Sequence, residues 1–142
     1  MGRCRVYAEG NQDPLRGELK TRCDSIEEAY EFMLAYAAQG LASDQGAGTG
    51  TQLREFLHKT DAALSGLADI FREVVRREQF APADKYENFI AVLDRDARDS
   101  QSAIQLVLAQ PSISSQLIDN LNASIHLRAL LTDLFLLDEA LK

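Results

Sequence analysis

Between Thr51 and Leu141 the apolar positions recur at helical spacing in three successive stretches. In the first, Leu53, Thr60, Leu67 and Val74 stand in a column spaced by seven, beside Phe56, Ala63 and Ile70 in a second and Leu57, Leu64 and Phe71 in a third. Adjacent columns make one broad apolar stripe, the pattern of a helix packed into a bundle; a strand would alternate with a period of two. The stripe predicts a helix from Thr51 to about Phe80.

Pro82 suits the first turn of the next helix, where its missing N–H costs nothing, and the stripe of Tyr86, Leu93 and Val107 beside Ile90, Ala97 and Ile104 carries it to Ala109. Pro111 closes that helix, and Ser112 or Ser114 can cap a last one running to the C-terminus. A shorter helix precedes all three. Ser25 with Glu28 matches the capping box, Ile26, Ala29, Tyr30, Met33 and Ala37 share a face flanked by Phe32 and Tyr36, and Gly40 is a stop. Residues 43–50 are small, polar and glycine-rich, which predicts a mobile connection. Residues 1–24 read as an arm, or as a small hairpin across Gly10–Pro14 that would bring Cys4 near Cys23. The expected fold is all-α: an antiparallel four-helix bundle over 25–142, with one short and three long helices, and an N-terminal arm or hairpin over 1–24. The short connections at 81–83 and 110–112 set neighbouring helices antiparallel.

Composition narrows the function classes. A chain of 142 residues is the size of one domain, and 46% hydrophobic residues exclude disorder throughout. The net charge of −7 is repelled by phosphate backbones and anionic lipid, so neither nucleic acid nor a membrane is an expected partner. Arg72, Arg76 and Arg77 are interrupted by Glu73 and Glu78. The N-terminus lacks the apolar stretch of a signal peptide, and Leu134–Leu137 is far too short to span a bilayer. Gly2 and Cys4 invite a lipid anchor, but Val6 stands where myristoylation wants Ser or Thr. Two cysteines are too few for a disulfide scaffold, and a cytoplasmic location is expected.

Two places break the pattern. The middle of the third long segment's predecessor, Asp94 to Ser102, is almost wholly polar, with Asp96 and Ser100 on its apolar side; Thr60 interrupts the stripe of the helix before it. Such positions are either exposed or form a polar core layer, and in the second case Asp96, Ser100 and Thr60 are candidate ligand-binding residues. The second half of the last helix is apolar nearly all round and must be covered on every side. The first helix and the arm can do this. Otherwise Leu130, Leu134, Leu137 and Leu141 form an interface for a protein partner or a homodimer.

No catalytic signature emerges. Glu55 and His58 form one Glu-x-x-His pair, which resembles half of a di-iron bundle motif, but the second pair is missing and both residues fall opposite the apolar stripe. His126 with Leu127, Arg128, Leu131 and Thr132 resembles the phospho-accepting box of histidine kinases, with the spacing one residue short; that resemblance implies phosphotransfer through His126. Gly46–Thr51 resembles the phosphate loop of tubulin-like GTPases, without the strand that such a loop follows. No cofactor and no metal site are expected. The sequence therefore predicts a non-enzymatic interaction module, an accessory, adaptor or regulatory protein, gripping its partner through the apolar last helix. A bundle with a small-molecule or metal site around Asp96 is the alternative.

Overall fold

Asp13 and Pro14 open the first helix. The Asp13 carboxylate accepts the Leu15 N–H at 2.9 Å and Pro14 takes the first turn, so α1 runs Pro14–Ala38. The computed structural model describes residues 13–46 and 48–142. Five further helices follow: α2 Gly48–Leu64, α3 Leu67–Arg77, α4 Ala83–Leu108, α5 Ser115–Ala123 and α6 Ile125–Ala140. The described residues are all-α, with six helices where the periodicity predicts four.

Each difference has a local cause. Asp-Pro fits a turn, but the same pair also supplies a helix cap and first residue; Leu19, Cys23 and Ile26, all buried, then continue the face of Ala29 and Met33. Ser25 and Glu28 consequently lie inside α1 and cap nothing. The other half of the proposed hairpin, residues 1–12, lies outside the described residues, as does Cys4. The long helix expected over 51–80 breaks at Gly66, whose φ of 71° is left-handed backbone that glycine adopts without strain. Arg22 reaches across from α1 and donates to the Ala63 carbonyl at 3.3 Å and to that of Ser65, satisfying acceptors left open at the end of α2. The last expected helix breaks at Ser124, which has extended backbone and ends α5 while its hydroxyl accepts the Leu127 N–H of α6 at 3.4 Å. Ser114 caps α5 in the same way, accepting from Leu117 N–H at 3.0 Å.

Packing joins α1 to α2, α3 and α5, while α4 lies against α2, α3 and α6, so one apolar core is enclosed by all six helices. Phe32 of α1 stacks on Phe56 of α2 with ring centroids 4.7 Å apart. At the lower edge, the buried Arg16 guanidinium pairs with Glu78 at 2.6 Å and donates to the Leu141 carbonyl at 3.0 Å, tying α1 to the ends of α3 and α6. No helix among the described residues is long and apolar enough to cross a membrane.

The glycine-rich connection is anchored. Asp44 is buried, and its carboxylate accepts from Arg54 Nε and from the Ile113 N–H, each at 2.6 Å. Arg54 in turn donates to the Leu108 and Gln110 carbonyls at 3.2 and 2.9 Å, the open acceptors at the end of α4. Gly50 is pressed against the Asp44 carbonyl so closely that a Cβ would collide with it. Beside this knot the Tyr36 hydroxyl donates to the Ile113 carbonyl at 2.7 Å, and the Ser115 hydroxyl donates to the Tyr36 carbonyl at 2.6 Å. Burial and the neighbouring Asp44 charge push the Tyr36 phenol above its ordinary value, although Arg54 opposes the shift.

The hydrogen bond from Arg54 holds the Asp44 carboxyl below the usual carboxylate range, outweighing the opposing effect of burial. Asp44 therefore contributes stability that is present above the unfolded-state value of about 3.9 and lost as pH falls through the lower folded value. Asp44→Asn keeps an acceptor for Ile113 but discards the charge, and is expected to cost about 2 kcal/mol near neutrality. Chemical denaturation of both proteins checks this: the gap between them narrows in strong acid, and a gap that stays constant with pH contradicts the assignment.

Candidate functional site

Two features sit on the seam between α4 and α6. These helices run antiparallel, since Tyr86 near the start of α4 donates its hydroxyl to the Ala140 carbonyl at 3.1 Å, while Asp99 lies 4.0 Å from His126 at the start of α6. The middle of the seam is polar and its Tyr86 end is apolar.

At the middle, Asp96 of α4 meets Asp133 of α6. Asp96 is half-buried, whereas Asp133 is only 6% exposed. Burial first, then a hydrogen bond and like charge from Asp96, push the Asp133 carboxyl up to about 8. Its Oδ2 is fully buried without a hydrogen-bond partner, and so are Ser100 Oγ, one turn after Asp96, and both amide atoms of Asn122 at the end of α5. Ser100 is 1% exposed and belongs to the inward row of α4 with Leu93, Ala97 and Ile104. Thr60 is equally buried, but its hydroxyl donates to the Phe56 carbonyl of its own helix at 2.9 Å. Of the three residues singled out in the sequence, Asp96 thus gains a partner on α6, Ser100 stays unpaired, and Thr60 is satisfied locally.

Asp133 is the residue the sequence reading passed over. In the sequence it stands in a column spaced by seven with Asp119 and His126, which a solvent-facing polar side of the helix explains equally well. The break at Ser124 puts His126 in the first turn of α6, where the helix end leaves it exposed, while Asp133, two turns further along the same column, is buried. The polar stretch at Asp94–Ser102 was the available signal, because a polar face in the core calls for a polar residue opposite it. Glu55 and His58 are exposed on α2, as expected. Among the described residues no group of three or more His, Cys, Asp or Glu side chains is placed to hold a metal ion.

At the apolar end, Leu130, Leu134, Leu137 and Leu141 are buried within the chain itself. Leu136, at 54%, is the leucine that this end of α6 leaves exposed. It forms a groove of about 280 Å³ with Lys85, Tyr86, Phe89, Leu137 and Ala140. Phe80 packs on Tyr86 with centroids 5.4 Å apart, backing the groove from the α3 side.

An unpaired hydroxyl in a core is a net cost, so Ser100→Ala is expected to leave stability unchanged or raise it by about 1 kcal/mol. Urea denaturation reads this directly, and a clear loss of stability would show that the hydroxyl has a bonding partner in solution. The chain matches no family model, no curated protein and no solved structure.

Proposed function

We propose that this protein is a non-enzymatic interaction module whose groove between α4 and α6 receives the apolar face of a partner protein's helix. The observation that supports this reading is the exposure of Leu136 beside Tyr86 and Phe89, in an apolar recess near the C-terminal end of α6. Burial of Leu130, Leu134, Leu137 and Leu141 moves the interface from those side chains to the neighbouring outward position. Around the groove Asp84, Glu87 and Glu139 are each ion-paired, with Lys85, Arg72 and Lys142 in turn, so the charge preference comes from the chain as a whole, at a net −7. A two-fold contact between copies would bring two such acidic chains together. An amphipathic helix with basic flanks would complement that charge instead.

The alternative, a small-molecule or metal site around Asp96, draws on the unpaired hydroxyl of Ser100, but Thr60 is already satisfied. Phosphotransfer through His126 has only the exposure of that histidine behind it.

A synthetic amphipathic helix of alternating leucine and lysine faces provides the test, followed by methyl and aromatic NMR shifts. The expected result is saturable perturbation confined to Tyr86, Phe89, Leu136 and Ala140, weakened at least tenfold in Leu136→Glu and reduced by salt. Leu136 is exposed, so this variant keeps the fold, whereas Leu137→Glu would bury a charge and lose it. Perturbations elsewhere, or a self-dimer abolished by Leu136→Glu, would defeat the proposal.

A further inference from the structure

Asp133 of α6 is buried beside the Asp96 carboxyl of α4, with which it shares a hydrogen bond, and its Oδ2 meets no donor. An Asp133 anion there would be both desolvated and repelled by its neighbour, whereas a proton on Asp133 turns that repulsion into a hydrogen bond.

We infer that Asp96 and Asp133 form a proton-operated latch between α4 and α6, bridging the helices when one proton is shared and loosening the seam when it is lost. The charged groups nearby leave the pair without a cation of its own. On α4, Arg95 is exposed, Arg98 is bonded to Asp94 at 3.1 Å, and Asp99 adds negative charge beside His126. On α6 itself Arg128 is exposed and Asp138 is a further carboxylate. The titratable side chain of α5 is Asp119, which lines a separate pocket with Gly40 and Ser115. Arg16 of α1 donates to the Leu141 carbonyl just past the end of α6, and is held by Glu78. Nothing in this set replaces the proton as the bridge.

The sign follows from linkage. The folded protein retains the Asp133 proton to about 8, whereas an unfolded chain releases it near about 3.9. The latch therefore favours the folded state fully below the unfolded value, and its contribution disappears as pH rises through the folded one. Asp133→Asn replaces the shared proton with an amide N–H that no longer titrates. The folding equilibrium constant of the native protein, taken relative to that of Asp133→Asn, should fall roughly tenfold per pH unit between about 5 and 8, then level off.

Two measurements decide the matter without relying on one variant. In the native protein, the carbon-13 carboxyl resonance of Asp133 should titrate with a midpoint of about 8. Amide exchange in α6, corrected for its intrinsic pH dependence, should accelerate above that midpoint in the native protein and not in Asp133→Asn. A midpoint in the ordinary carboxylate range, or parallel stability curves for the two proteins, would overturn the latch. So would magnesium or calcium ions that hold α6 closed at alkaline pH, since the pair would then be a cation bridge. The latch stands whether or not the groove has an occupant, and the peptide titration is read separately from these resonances.

Discussion

The buried carboxylate of Asp44 is the constraint around which one end of the molecule is arranged. Three chain segments meet there: the connection after α1, the first turns of α2, and the turn between α4 and α5. A single aspartate gives each of them a hydrogen-bond partner, directly or through Arg54, whose guanidinium also closes the open carbonyls at the end of α4. Charge-assisted bonds of this kind are short and directional, so they fix the angle at which the connection crosses the helix ends as well as holding it there. Tyr36 and Ser115 extend the knot into the core. Apolar packing alone is indifferent to small slides between helices. The knot removes that freedom at one end, and Arg16 with Glu78 and Leu141 does so at the other.

The seam between α4 and α6 lies between these two fastenings and is treated differently. Its polar middle holds carboxyls instead of an ion pair, and its far end leaves Leu136 uncovered. A core built for stability alone would place Leu or Ala at positions 100, 122 and 133, because unpaired buried polar atoms weaken packing. Their concentration on α4, α5 and α6 contrasts with the fully bonded polar groups around Asp44. Departures from good packing of this kind gather where a protein binds or switches. The two ends of the seam are also mechanically related, since Asp133 precedes Leu136 by less than one helical turn on α6.

Helix content was legible because the apolar columns of α2, α3 and α4 are long and regular. The identity of the polar candidates was partly legible for the same reason: Asp96, Ser100 and Thr60 interrupt those columns, and the latter two are indeed buried. Three things were not readable. Asp13-Pro14 fits a turn and a helix start equally well, and only the packing of Leu19 and Cys23 decides between them. Gly66 and Ser124 are single residues inside continuous apolar patterns, so the breaks they make leave the periodicity nearly intact while turning the next segment to a new phase. Asp133 was hidden by the polar column it shares with Asp119 and His126, both of which are exposed. Asp44 was hidden by its neighbours: a carboxylate among glycine and serine looks solvated until the partner ten residues away in α2 folds back onto it.

The bonds of the upper knot span long stretches of chain: Tyr36 reaches Ile113 and Ser115 reaches back to Tyr36, separations of 77 and 79 residues. Loops of that length close slowly, because their entropy must be lost before the contact rewards it. During synthesis α1 therefore leaves the ribosome well ahead of α5, and its inner face, from Leu19 to Tyr36, waits with α2 as its first companion. α1 is made before the helix that completes its enclosure, which places the period of greatest exposure of its inner face to aggregation before α5 emerges.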